Sequence, residues 1–211
     1  MGVVALFGGK GFEAVGANRE VTERLLGLSG GSEVVVLPTA DAFEEPQRAV
    51  DEAAAWFATF GATVRPLMVL TRSDANDAAN AAVIDQASFV YLVGDSPLHL
   101  RSSMKDTTVW AAIVAASERG VVAASGASAA AICDPMTDPR GGAFGLGLGL
   151  VAPLAVVHEA ETWSFDRLHR ARQLSANFAT AVLPSGTALM RVNGAWARFG
   201  EGLEVSGELP G

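Results

Sequence analysis

The 211-residue sequence is short of cysteine, of lysine and of long apolar runs. Its one cysteine, Cys133, excludes an internal disulfide, and a reducing cytoplasm is the simplest compartment for such a chain. No apolar run approaches the roughly 20 residues needed to cross a bilayer, so no membrane partner is expected. No His and Cys pair stands at metal-ligand spacing, which argues against a zinc site, and no cofactor or metal is expected. Lysine occurs only at Lys10 and Lys105, the arginines are scattered, and the formal charge is −8. A basic face for phosphate is therefore missing, and with it the case for a nucleic-acid partner. Gly8-Gly9-Lys10-Gly11 matches neither Gly-x-Gly-x-x-Gly nor Walker spacing, so nucleotide binding is not indicated.

What the chain does contain is apolar residues in short runs. Half of it is hydrophobic, with a mean hydropathy of +0.30. Runs of Val, Leu and Ala broken by Gly or polar residues read as parallel strands covered on both faces. Met1 to Phe7 has no basic lead and no cleavage-type ending, so it reads as a first strand, not a signal peptide. Strands are expected at Val3 to Phe7, Glu33 to Leu37, Ala62 to Leu70, Ser88 to Val93, Val121 to Ala124 and Leu154 to Val157. Helices are expected at Asn18 to Leu28, Glu44 to Phe60, Asn76 to Gln86, Thr107 to Arg119 and Phe165 to Ala181, plus a small-residue helix after Ser128. Thr187 to Val192 and Trp196 to Phe199 flank Asn193-Gly194, a strong hairpin signal. The alternation predicts a single three-layer α/β domain over residues 1–211. Its sheet is mostly parallel, with helices on both faces and a C-terminal antiparallel hairpin.

In such folds function gathers at the C-terminal ends of the strands. That rule selects the turn after Phe7, Pro38 to Phe43, Gly94 to Pro97, and Ser125 to Ser128, with His158 just past a strand. The turn Gly126-Ala127-Ser128-Ala129 is expected to present Ser128 at a strand-to-helix corner, where a sharp turn lifts a nucleophile clear of the sheet. A serine needs a base and oxyanion donors. Of three histidines, His158 is the best placed base. Gly94, without a Cβ, can bring its N–H close to a substrate. The acid that would orient the imidazole stays open among Asp134, Asp138, Glu159 and Glu161.

Several motifs occur in order: Leu6-Phe7-Gly8-Gly9, Val34 to Ala40, Val90-Tyr91-Leu92-Val93-Gly94-Asp95, Gly126-Ala127-Ser128-Ala129, Gly145-Leu146-Gly147-Leu148, His158 and Thr187-Ala188-Leu189. Together they resemble the cyanophycinase and α-aspartyl dipeptidase family of serine peptidases, which shares the fold of class I glutamine amidotransferases. The resemblance runs roughly from Val3 to Val205. It implies Ser128 as nucleophile, His158 as base, and the N–H groups of Gly94 and Ala129 as oxyanion hole. The chain departs from the family pattern at Ala130, Val93 and Ser96, and in the segment after His158, where arginines are replaced by Glu159-Ala160-Glu161.

Two functions follow as expectations. The first is a cytoplasmic serine hydrolase cleaving a small peptide or amide through an acyl-enzyme. Ser128 attacks, His158 shuttles the proton and Asp134 orients it, with an aspartyl substrate as the family expectation. Arg101 and Arg140 are its candidate carboxylate partners by charge. The second is a catalytically impaired relative that keeps the pocket as a binding or regulatory module. A homodimer is compatible with either.

Overall fold

The computed structural model describes residues 2–138 and 140–211. Seven strands form the main sheet: β1 (Val3–Phe7), β2 (Glu33–Leu37), β3 (Thr63–Pro66), β4 (Phe89–Leu92), β5 (Val121–Ser125), and the later pair Ala188–Val192 and Ala195–Phe199. The first five run parallel, in the order β1-β5-β4-β2-β3, and the later pair adds antiparallel to the free edge of β1. That pair is the expected C-terminal hairpin. Asn193 and Gly194 turn it with φ of +49° and +84°, the left-handed pair that matches strand twist in a two-residue loop.

Strand residues alternate between two apolar layers, because successive side chains leave a strand on opposite faces. Val3, Ala5, Phe7, Val34, Val36, Phe89 and Tyr91 enter one layer, closed by α1 (Asn18–Ser29) and α2 (Pro46–Ala58). Val4, Leu6, Val35, Leu37, Val90 and Leu92 enter the other. It is closed by helices that include α5 (Pro97–Met104), α6 (Thr108–Arg119) and α7 (Gly126–Ile132). Between α2 and α5 the chain forms two helices, α3 (Arg72–Ala75) and α4 (Ala78–Gln86). The expected helix from Asn76 thus begins at Ala78, after the Asp77 carboxylate caps it by accepting from the Ala79 N–H.

Three further differences matter. The expected third strand stops at Pro66, not Leu70. Two small sheets lie outside the main one: β6 (Met136–Asp138) with β7 (Ala143–Gly145), and β8 (Leu154–His158) with β9 (Ala179–Leu183) and the last strand after the hairpin, Glu204–Ser206. The helix expected to reach Ala181 ends at Leu174 as α8 (Phe165–Leu174), and 179–183 is β9 instead. Five consecutive buried residues carry no period to separate strand from helix, so partner strands decide. We number the hairpin strands β10 (Ala188–Val192) and β11 (Ala195–Phe199), and the last strand β12 (Glu204–Ser206).

Candidate active site

The C-terminal ends of β1, β2, β4 and β5 open on one cleft of about 110 Å³, whose lining includes Lys10, Phe12, Asp41, Glu44, Gly94, Asp95, Ser125, Gly126 and Glu159. Thr39 anchors one of its lining elements: its buried hydroxyl donates to the Val69 carbonyl at 2.6 Å and holds the helical turn that carries Asp41. Asp41 in turn accepts the Asp95 N–H at 2.8 Å. Gly94, between these contacts, has φ of +121°, and a Cβ there would lie 2.7 Å from the Asp41 backbone nitrogen and Oδ1. Only glycine suits both the dihedral and the space. Burial holds the Asp41 carboxyl above its usual range, and the charges of Asp95 and Glu44 push the same way, while the Asp95 N–H and Lys10 oppose them.

His158 ends β8 and is buried, and neither ring nitrogen has a hydrogen-bond partner among the described residues. The next residue, Glu159, takes φ of +46°, a strained conformation for a non-glycine residue that clusters at functional sites. Its N–H donates to the Gly8 carbonyl at 2.6 Å, and its Oε2 stands 3.7 Å from His158 Nδ1. That separation is longer than a hydrogen bond. His158 beside it holds the Glu159 carboxyl below the usual range despite partial burial.

Of the four acids left open by the sequence, Glu159 is the one the structure brings to the histidine. Asp134 is not. Its Oδ1 accepts the Gly147 N–H at 2.7 Å and its carbonyl accepts the Leu154 N–H, at the opening residue of β8. His158 is four residues further along that extended strand, roughly 13 Å away at about 3.3 Å per residue. The role given to Asp134 is corrected accordingly. Asp138 pairs with Arg140, and Glu161 accepts the Ser185 N–H.

The serine also needs correction. Strand β5 ends at Ser125, and the residue that turns the chain into α7 is Gly126, with φ of +55°. Ser128 lies two residues inside the helix, with a relative exposure of 0%, and donates its hydroxyl to the Gly94 carbonyl at 3.2 Å. The corner that faces the cleft is therefore Gly126 and not Ser128. Ala129 is fully buried in the same helix. Arg140 binds Asp138 and lines a second, more apolar groove of about 450 Å³ that shares Glu44 and Asp95 with the cleft. Arg101, on α5, lines neither.

The model of the peptidase family S51 matches residues 4–137, most of the main sheet and all of the corner. The chain belongs to peptidase family S51. Membership indicates a serine-type peptidase, as the ordered motifs implied. Two solved structures share the fold. A peptidase from an acI-B1 Actinobacterium superposes with a TM-score of 0.82 at 19% identity, covering 95% of this chain and 88% of its own. A candidate peptidase E protein from Listeria monocytogenes EGD-e gives 0.71 at 12% identity, covering 95% and 98%. No curated protein gives a significant sequence match.

Against the S51 membership, the acidic lining of the cleft is the feature that motif reading missed. Asp41, Glu44, Glu45, Glu52, Asp95 and Glu159 face Lys10 and Arg48 there. Four of these carboxylates lie within residues 41–52, in the connection after β2 and on α2, while Asp95 and Glu159 follow β4 and β8 and join them only in the fold. Arg48 is already paired with Glu45 and Glu52, leaving Lys10 as the cation without an ion-pair partner among the described residues. No group of three or more metal-ligating side chains occurs among the described residues. No helix there is long and apolar enough to cross a membrane.

Proposed function

We propose that this member of the S51 peptidases takes a small peptide or amide into the cleft at the ends of β1, β2, β4 and β5, with an amino group directed at its carboxylates. The observation that carries the reading is the convergence of the Gly94 turn, the Gly126 corner and Glu159 on one opening, with His158 Nδ1 3.7 Å behind the Glu159 carboxylate. The N–H of Gly94 has no acceptor among the described residues, which leaves it available to a substrate carbonyl oxygen. The six carboxylates oppose a further acidic side chain, so the electrostatics favour a basic or amine-bearing ligand over an aspartyl one. The adjoining apolar groove, lined by Leu98, Met136 and Phe144, suits an apolar neighbour in the same ligand.

Family membership supports hydrolysis as the outcome of binding. In that reading the Ser128 hydroxyl attacks the carbonyl carbon, His158 takes its proton and returns it to the leaving amine, and water releases the acyl group. The N–H groups of Gly94 and Ala129 would receive the oxyanion. A specific observation favours the second reading, a binding or regulatory module: the Ser128 hydroxyl is enclosed and engaged with Gly94. Thermal shift and product analysis with paired dipeptides, lysyl against aspartyl, test the proposal. A rise in Tm with the lysyl member alone is expected. Equal shifts, or a shift confined to the aspartyl member, would refute the charge argument.

A further inference from the structure

We infer that Gly126 occupies the seat of the covalent nucleophile, and that the wild-type cleft therefore binds its carbonyl ligand without forming an acyl-enzyme. The inference rests on the reading of the cleft as a peptide or amide site, and it decides between turnover and binding there.

A nucleophile at a strand-to-helix corner sits on the strained residue of the turn, because that conformation lifts its side chain off the sheet. Here the positive φ belongs to Gly126, the first residue after β5. The space at that residue agrees. A Cβ built on Gly126 would meet one atom within 4 Å, the Gly9 carbonyl oxygen at 3.8 Å, an ordinary van der Waals contact. Other left-handed glycines in the segment after β1 differ. A Cβ on Gly11 would lie 2.2 Å from the Tyr91 hydroxyl, and one on Gly16 would lie 2.3 Å from the Gly186 carbonyl. Those glycines are demanded by packing, whereas the corner has room for a side chain and carries none.

The rest of the catalytic frame stands around that seat. Glu159 is tied to the Gly8 carbonyl and Gly126 lies against the Gly9 carbonyl, so the loop after β1 separates the two by one residue. His158, buried with both ring nitrogens unpartnered, is an imidazole without the hydroxyl it would serve. Ser128 cannot replace the missing group while its hydroxyl is held by Gly94 beneath the corner.

The test is labelling with a fluorophosphonate, followed by intact mass and peptide mapping. With Gly126→Ser, the serine Oγ forms a bond to phosphorus, the P–F bond breaks, fluoride leaves, and the hydroxyl proton passes to His158. Stoichiometric modification at position 126 is expected in that variant. Its loss is expected when His158→Ala is added. Wild type is expected to remain unmodified over the same time. A left-handed residue with a Cβ costs some stability, so Gly126→Ser should melt roughly 2–8 °C below wild type. Wild-type protein labelled at Ser128 would overturn the inference. So would a folded Gly126→Ser protein that takes no label, or one that cannot fold, since the seat would then be closed. Dipeptide binding measured by thermal shift is independent of labelling, so failure of the cleft reading would be seen separately.

Discussion

Replacing Gly94 by alanine tests the geometry of the cleft directly. At φ of +121° an L-residue is strained by roughly 1–3 kcal/mol. The added methyl would approach the Asp41 nitrogen and Oδ1 at 2.7 Å and the Ala40 carbonyl carbon at 2.8 Å. Two of these three are backbone atoms, and Ala40 is buried, so the neighbours have little freedom to yield; overpacking of this kind costs about 1–3 kcal/mol more. The combined loss is on the order of 2–6 kcal/mol. At about 2–4 °C per kcal/mol for a chain of this size, Tm should fall by roughly 5–20 °C. The control is Gly27→Ala near the end of α1, where a Cβ would meet nothing within 4 Å and φ is not positive. Alanine there should gain about 0.5–1 kcal/mol through helix propensity. Thermal melts followed by circular dichroism, with urea titrations to confirm an unchanged m-value, give both numbers. A Gly94→Ala protein melting within about 1 °C of wild type would refute the claim that Asp41 and Gly94 are locked together. A fall in Gly27→Ala as large as in Gly94→Ala would show that the Cβ reasoning is at fault.

Other perturbations reach the same elements. Thr39→Val removes the 2.6 Å hydrogen bond to Val69 and leaves a buried carbonyl unpaired, so a loss of about 1–3 kcal/mol is expected in urea denaturation. Glu159 has a carboxyl held below its unfolded value, so its contribution is present above the unfolded pKa and fades as pH falls through the folded pKa. The side chain is about a third exposed, so screening keeps that contribution below about 1 kcal/mol. Glu159→Gln should therefore narrow the gap in Tm between neutral and acid pH, and an unchanged gap would speak against the His158 contact. Burial pushes the Cys133 thiol well above its ordinary range. Alkylation by iodoacetamide should be on the order of 100-fold slower in folded than in guanidinium-unfolded protein. Similar rates would mean that the helix end at Ile132 opens readily.

The sequence by itself determined the alternation of strands and helices, because both faces of β1, β2, β4 and β5 are covered and each strand reads as a nearly continuous apolar run. It also determined the C-terminal hairpin, since Asn193-Gly194 carries its own turn chemistry. The order of motifs was enough to reach the peptidase family. Tertiary structure decided what local pattern could not. Residues 179–183 became strand because β8 and β12 were there to pair with them. Asp134 was drawn to Gly147 and Glu159 to His158, a choice that depends on which end of β8 each one meets. The corner was decided by a single dihedral angle. Ser125, Gly126 and Ser128 are all small residues that tolerate a tight turn, so the sequence permits the bend at more than one of them. The structure places it at Gly126, whose φ of +55° a glycine adopts at least cost, leaving a glycine in the open seat and a serine in the enclosed one.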